Sequence, residues 1–255
     1  MSLGAVSLDS AILAGRHLRL MSRRPASVLG AVVLPLVFAL LFFTVFGRVM
    51  QRAGIDYVFY LLPAVITQAS FFTAMSSAIL AAEDVTGGAL RRLRAMPVGR
   101  AAPVLGLLGA EVARAALSIG VLVPLALALG FRFRGGPAAT VGFVLFFLCF
   151  AAVLCTCFIA LGLSLRRVEA VQAAVNLIYF PFLLLSTAFA PASAFPAWLR
   201  PVVEHQPVSR IVDAARALAD TGAGTALPVL IAAAWLGGLL VVGLTMATRA
   251  VGRSA

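Results

Sequence analysis

The sequence predicts an all-α membrane protein with six transmembrane helices in one membrane domain that covers 1–255. Of the 255 residues, 62% are apolar, and the mean hydropathy is +1.08. Soluble domains are only about 45–50% apolar. Six apolar runs are long enough to cross a hydrocarbon layer of about 30 Å, which takes about 20 helical residues. These runs lack the polar–apolar alternation of barrel strands, so we expect helices, which satisfy backbone hydrogen bonds within lipid.

Polar or charged connections separate the predicted spans. The third span is the least uniform, because Glu111 and Arg114 lie in its first half. It is either one helix or an interfacial piece followed by a shorter span. The six predicted spans are 27–46, 57–82, 102–131, 138–165, 171–190 and 227–248.

The placement of arginine predicts the orientation of the chain. All 20 basic residues are arginine. If the N-terminus is inside the cell, the inner segments hold twelve arginines and the outer segments hold seven, with Arg114 inside a span. Inner loops of membrane proteins are enriched in basic residues. We therefore expect a multi-pass protein of the cytoplasmic membrane with both termini in the cytoplasm, facing anionic lipid headgroups.

Composition excludes several classes of function. The chain has no lysine, so it cannot form the phosphate-binding loop that hydrolyses nucleotide, and no cofactor is expected in this chain. The arginines are scattered rather than gathered on one solvated face, which argues against nucleic-acid binding. His17 and His205 are predicted on opposite sides of the membrane, so neither a serine–histidine pair nor a metal site is expected. Cys149, Cys155 and Cys157 share one apolar run and are interpreted as packing residues.

Residues 1–24 predict an amphipathic helix at the cytoplasmic surface of the membrane. Ala11, Ala14 and Leu18 recur at helical spacing on one side. Such a helix rests on lipid, lies beside a protein partner, or does both. Its opposite side is basic and holds Arg16, Arg19 and Arg23.

The inner connection 83–100 reads EDVTGGALRRLRAMPVGR and separates the second and third spans. It combines an acidic pair, a glycine pair, a short basic stretch and a proline. Basic connectors are common on the inner side of membranes, so one interpretation is an ordinary cytoplasmic loop.

The outer connection 191–226 predicts short extracellular helices between the fifth and sixth spans. Pro207 starts a new element, and Ser209 is its expected helix N-cap. The helix that follows would rest on the membrane surface or dip in and cover a pathway. Its apolar face holds Ile211, Ala215 and Leu218, and its polar face holds Asp213, Arg216 and Asp220.

Two sets of polar residues lie inside the predicted spans. Glu111 and Arg114 are spaced to pair on one helix face, either as a structural anchor within the membrane or at the inner interface. The second set either allows close helix packing or lines a pathway. It comprises Ser70, Thr73 and Ser77 in the second span and Gln172 and Asn176 in the fifth.

The two connections resemble those of the ABC type-2 exporter permeases. In that family an acidic span end leads through a glycine turn to Leu-Arg-Arg-Leu and Pro-Val, as in 83–98, and a Phe-Pro-x-Trp segment precedes a polar-Pro-x-Ser step, as in 195–209. The stretches 203–209 and 130–134 are most similar to the daunorubicin-resistance branch. Thr187 departs from the pattern, because many members have glycine there.

The resemblance implies a complex of two permeases, identical or homologous, with two ATPase subunits that carry ATP and Mg. The inner connection would dock on an ATPase, with Leu90 and Leu93 in a groove. The residues expected to couple the two proteins are Glu83, Asp84, Gly87, Gly88, Leu90, Arg91, Leu93 and Arg94. Trp198, Pro207 and Ser209 would lie at the extracellular gate.

The expected function is ATP-driven export of a hydrophobic or amphipathic compound, such as a drug, an antibiotic or a lipid. One alternative is an ATP-independent secondary transporter or channel, which the scarcity of ionisable residues within the spans disfavours. Another is a membrane scaffold that transports nothing.

Overall fold

The computed structural model describes residues 25–52, 56–88, 102–220 and 225–252, together with positions 14, 15, 19 and 54. Within these ranges the chain forms eight α-helices, one short 3₁₀ turn at Ala192–Ala194 and no strand. The all-α prediction is therefore confirmed for the described part of the chain. The helices are α1 (Pro25–Arg52), α2 (Tyr57–Thr86), α3 (Ala102–Ala128), α4 (Gly136–Leu165), α5 (Val168–Leu184), α6 (Arg200–His205), α7 (Pro207–Ala219) and α8 (Ala226–Gly252).

Five of these helices, α1 to α4 and α8, are long and apolar enough to cross a membrane. Helix α5 is apolar but has 17 residues, or about 26 Å, which is slightly less than a hydrocarbon layer of about 30 Å. The predicted fifth span, 171–190, was therefore too long, because its helix ends at Leu184. Beyond that point Ser186 bonds the Leu183 carbonyl through its hydroxyl at 2.6 Å, and the chain leaves the helix axis.

Helix α3 is continuous from Ala102 to Ala128, so the two-piece alternative for the third span is wrong.

Helix α2 lies at the centre of the bundle and contacts α1, α3, α4, α5 and α7. It approaches α4 most closely where Gly162 faces Ala78, because a side chain at Gly162 would strike the Ala78 backbone. A second close approach joins α4 to α8. There a Cβ on Gly243 would lie 2.9 Å from the Cys157 sulfur, and that thiol donates to the Leu239 carbonyl at 3.1 Å. Small residues thus bring the backbones together, as is common between membrane helices.

Three connections meet at one end of the bundle. Arg134 lies 3.6 Å from both Asp56 and Asp220, and its backbone N–H donates to Ala219 at 3.0 Å. We call this the Arg134 end. Helices α2 and α4 run away from it, so their last residues lie at the opposite end, which we call the Arg166 end.

A turn of two residues joins α4 to α5 at the Arg166 end. Arg166 has a left-handed conformation, with φ 61°, and its N–H donates to Gly162 at 3.1 Å. Arg167 is extended and precedes the first residue of α5. A left-handed residue is a common way to end a helix, although glycine is its usual occupant.

Candidate functional site

The described part of the inner connection is a helix end followed by a glycine turn. Glu83 and Asp84 lie in the last turn of α2, and the Glu83 side chain is exposed. The Gly87 N–H donates to the Glu83 carbonyl at 2.8 Å, and Gly88 has φ 70°, a left-handed conformation that favours glycine. Four predicted coupling residues lie outside the described residues: Leu90, Arg91, Leu93 and Arg94.

Of the N-terminal segment, Ala14 contacts α3. The Ala14 Cβ lies 3.6 Å from the position that a Cβ would occupy on Gly109, which is an ordinary van der Waals distance. Arg19 is helical and exposed, whereas Arg16 and Arg23 lie outside the described residues. Ala14 therefore packs on the half of α3 that begins at the Arg166 end.

A buried ion pair lies near the middle of α3. The Glu111 and Arg114 side chains are 0% and 1% exposed, and Arg114 Nη2 lies 2.5 Å from Glu111 Oε2. The same Nη2 donates to the Thr73 carbonyl on α2 at 2.9 Å. The pair is thus enclosed by protein and links α3 to the central helix. A buried charge that loses its partner is strongly destabilising, so each residue depends on the other.

The polar stripe of α2 faces the inside of the bundle. Ser70, Thr73 and Ser77 are all buried. The Ser70 hydroxyl donates to the Ile66 carbonyl at 2.9 Å, and the Ser77 hydroxyl donates to the Ala74 carbonyl at 2.6 Å. These positions fit the packing interpretation.

The polar residues of α5 occupy a different surface. Gln172 and Asn176 are exposed, and the Asn176 amide donates to the Gln172 carbonyl at 2.8 Å. On the buried side of the same helix, the Tyr179 hydroxyl accepts from the Gln68 amide of α2 at 3.0 Å. The structure therefore separates the two polar sets that the sequence grouped together.

Ser209 does not cap a helix, so that prediction was wrong. Helix α7 begins at Pro207, a residue well suited to the first helical position, and Gln206 is its N-cap. Ser209 lies one turn inside and is fully buried, and its hydroxyl oxygen accepts from the Thr187 N–H at 3.0 Å. Of the other two predicted gate residues, Pro207 is half-buried and Trp198 is 78% exposed.

Arg216 attaches α7 to the rest of the bundle. Its side chain is 14% exposed, and Nη2 donates to the carbonyls of Tyr60, Thr187 and Ala188 at 3.2, 2.9 and 3.0 Å. Its guanidinium carbon lies 3.6 Å from the centroid of the Tyr60 ring, and Nη1 bonds Asp213 at 3.3 Å. On the predicted polar face of α7, Arg216 therefore faces protein, whereas Asp213 and Asp220 remain 38% and 42% exposed.

Thr187 completes this arrangement. Its hydroxyl donates to Asp213 at 3.2 Å, and its carbonyl accepts from the Tyr60 hydroxyl at 2.7 Å. Burial raises the pKa of Asp213, and the adjacent Arg216 partly offsets that rise. Burial likewise lowers the pKa of Arg216. We call this group the Arg216 cluster, and it consists of Tyr60, Thr187, Ser209, Asp213 and Arg216.

The sequence pattern placed Asp213 and Arg216 on one polar face together with Asp220, but it did not indicate the acceptors of Arg216. Those acceptors are main-chain carbonyls, which no side-chain pattern reports. Within the described ranges no three metal-ligating side chains come together.

Sequence comparison identifies the family to which this helical bundle belongs. Residues 10–219 match the model of the ABC-2 type transporter family. The chain belongs to this family. It is 29% identical to the daunorubicin resistance ABC transporter permease protein DrrB1 of Streptomyces coeruleorubidus. The 200 aligned residues cover 78% of this chain and 71% of that protein.

Two further relatives of this ABC-2 type transporter come from different organisms. The probable doxorubicin resistance ABC transporter permease protein DrrC of Mycobacterium tuberculosis is 30% identical over 223 residues, covering 85% of this chain and 78% of that protein. A putative transport permease, ycf38 of Pyropia yezoensis, is 26% identical over 204 residues, which cover 77% of this chain and 68% of that protein. The predicted family is thus confirmed. The chain is a permease subunit of an ATP-driven transporter, and separate subunits carry the ATPase activity.

Proposed function

We propose that this permease exports a hydrophobic or amphipathic compound, a drug, an antibiotic or a lipid, across the cytoplasmic membrane. The observation that carries this proposal is the similarity to drug-resistance permeases over about four-fifths of the chain. The apolar surfaces of the helices agree with such a cargo. The complex would contain two permeases, identical or homologous, and two ATPase subunits that bind ATP and Mg.

The Arg166 end faces the cytoplasm in this proposal. The excess of arginine in the segments assigned to that side supports it, as does the alternation of the connections between the two ends. Both chain termini then lie in the cytoplasm. The Arg134 end, with α6, α7 and Trp198, faces outward and forms the outer gate together with Pro207 and Ser209.

Helix α2 transmits the motion of the ATPases to the gate. It runs without interruption from Tyr57, at the Arg134 end, to the Gly87–Gly88 turn that opens the inner connection. Leu90 and Leu93 would enter a groove of the ATPase, and Arg91 and Arg94 would pair with acidic groups. Glu83 and Asp84 would form ion pairs at the end of α2 or cap that helix end.

The Glu111–Arg114 pair is the anchor that keeps α2 and α3 together during this motion. These two helices flank the inner connection, and the Arg114 bond to Thr73 joins them directly. The N-terminal helix, through Arg16, Arg19 and Arg23, would hold the same half of α3 against the ATPase. Ser70 and Ser77 serve packing, whereas Gln172 and Asn176 on α5 face the pathway or the second permease.

Replacing Leu90 and Leu93 with aspartate tests the coupling. We expect loss of co-purification with the ATPase and loss of transport-linked ATP hydrolysis, because a charged pair cannot occupy an apolar groove. The matched control is Leu90→Met with Leu93→Met, which keeps both side chains apolar and should leave both intact. Undiminished hydrolysis in the aspartate variant would contradict the assignment. Transport by the purified chain alone would contradict the whole proposal and favour a secondary transporter.

A further inference from the structure

A cleft of about 770 Å³ opens between the last turns of α1 and the start of α2, at the Arg134 end. Small-molecule sites in proteins commonly have volumes of about 300–1,000 Å³. Its lining combines two aromatic residues, Phe43 and Tyr57, with two residues of opposite charge, Arg48 and Asp56. A cleft lined by both aromatic side chains and side chains of opposite charge suits a zwitterionic ligand that has an apolar part.

Tyr57 contributes a largely buried side chain to the lining of the cleft. Tyr57 is 4% exposed, and its phenol oxygen has no hydrogen-bond partner among the described residues. The Tyr57 side chain thus contributes to the lining, while its hydroxyl oxygen is closed off from the cleft and takes no part in ligand binding.

Two glycines keep the cleft open. Gly54 has φ +75°, so the turn between the helices requires a residue that tolerates the left-handed region. Gly47 lies on α1 at the cleft wall, and a Cβ there would meet only the Phe43 ring, at 3.8 Å. A larger side chain at Gly47 would therefore fill space without striking the backbone.

The charged side chains of Asp56 and Arg48 can each bind a ligand group. The Asp56 carboxylate accepts from the Phe59 N–H at 3.2 Å through Oδ1, while Oδ2 lies 3.6 Å from Arg134, beyond ordinary hydrogen-bond length. Its side chain is 57% exposed. Arg48, which lies on α1, also lines the cleft and is exposed. A phosphate could bind Arg48 while an ammonium group binds Asp56.

We propose that this cleft binds the headgroup of an ethanolamine phospholipid, with its phosphate on Arg48 and its ammonium on Asp56. The cleft lies where two membrane-spanning helices end, which is the level of lipid headgroups. The adjoining surface of α1 exposes Val45 and Val49, at 55% and 60%, and provides an apolar path for the acyl chains. The site does not depend on the transport function.

Native mass spectrometry of the full chain, purified in detergent, tests this site with added phosphatidylethanolamine, phosphatidylcholine and phosphatidylglycerol. We expect the ethanolamine lipid to bind most tightly, because its primary ammonium donates hydrogen bonds that a quaternary ammonium cannot. Arg48→Gln should weaken its binding about fivefold, since a basic group near the membrane surface contributes about 1 kcal/mol. Arg52→Gln is the matched control, because Arg52 lies in the same last turns but does not line the cleft.

Asp56→Asn tests the ammonium site without removing the helix cap, because asparagine caps helices as well as aspartate does. It should abolish the preference for ethanolamine over choline lipid. Arg134→Gln controls for the loss of the Asp56–Arg134 ion pair and should keep the preference. Gly47→Leu should reduce binding of the ethanolamine lipid severalfold, with circular dichroism and melting temperature unchanged.

Three results would overturn the proposal. The first is tighter binding of the glycerol or choline lipid to the unaltered chain. The second is unchanged ethanolamine-lipid binding in Arg48→Gln, and the third is unchanged binding in a folded Gly47→Leu variant.

Discussion

The guanidinium of Arg216 lies against the ring of Tyr60, with 3.6 Å between its central carbon and the ring centroid. Through this contact and three carbonyl hydrogen bonds, one side chain of the short helix α7 holds the start of α2 and the segment after α5. A planar guanidinium can stack on an aromatic ring and donate hydrogen bonds in its plane at the same time, whereas an ammonium cannot stack. Movement of α7 away from the bundle therefore requires all of these contacts to break.

Arg216→Lys should destabilise the protein, because lysine keeps the charge but loses the planar fork that stacks on Tyr60 while Nη1 bonds Asp213 and Nη2 bonds the carbonyls. We expect a loss of about 2–3 kcal/mol, measured as a lower melting temperature in detergent. Arg210→Lys is the matched control, since Arg210 lies on the same helix and is only half-buried. Equal melting temperatures for the two variants would show that the carbonyl contacts of Arg216 contribute little.

Thr187→Val should cost about 1 kcal/mol, because it removes only the hydroxyl that bonds Asp213 and keeps the shape of the side chain. Thr187→Ser should restore most of the loss. Thr187→Gly should be at least as harmful as the valine variant, since glycine also loosens the backbone here. A glycine variant as stable as the unaltered protein would mean that the departure from the family pattern has no structural role.

Gly162→Ala should destabilise the contact between α2 and α4 by about 1–3 kcal/mol, because the new methyl group would collide with the Ala78 backbone. Gly120→Ala and Gly237→Ala are matched controls in helix interiors where a Cβ meets open space. Each should be neutral or stabilising by up to about 1 kcal/mol. Comparing the melting temperatures of the three variants separates the steric effect from helix propensity. A gain of stability in all three variants would contradict the close approach of Gly162 to Ala78.

Glu111→Gln and Arg114→Gln should each lower the yield of folded protein, because each leaves a buried charge without its partner, at a cost of about 3–5 kcal/mol. The double replacement Glu111→Met with Arg114→Met should recover most of the loss, since it removes both charges together. Expression in membranes, with melting temperature as a second readout, measures the effect. A double variant as poor as either single would argue that the bond from Arg114 to Thr73, rather than the ion pair, matters most.

The apolar runs were sufficient to predict most of the bundle. Helix α4 ends at Leu165 as predicted, and α2 begins at Tyr57 as predicted, because charged or turn-forming residues mark those boundaries sharply. The fifth span was overestimated because the residues after Leu184 remain apolar although the helix has ended. Hydropathy reports the surroundings of a segment and cannot show where its helix ends.

The interior contacts were less predictable than the helices. The spacing of Glu111 and Arg114 was enough to suggest their pairing, but the third partner is the carbonyl of Thr73, 41 positions away. The Arg216 cluster was missed for the same reason, because its acceptors are backbone atoms brought together by folding. Ser209 was misassigned because an N-cap and a buried hydroxyl one turn later have similar sequence patterns.

The two-residue turn at Arg166 and Arg167 limits how the bundle can rearrange. Only three Cα–Cα steps of about 3.8 Å separate the last residue of α4 from the first of α5, so these ends stay within about 11 Å of each other in every state. Spin labels placed across this turn would record a constant separation throughout a transport cycle. Any tilt of α4 must therefore also move the first turns of α5 at the Arg166 end, and Gln172 with them.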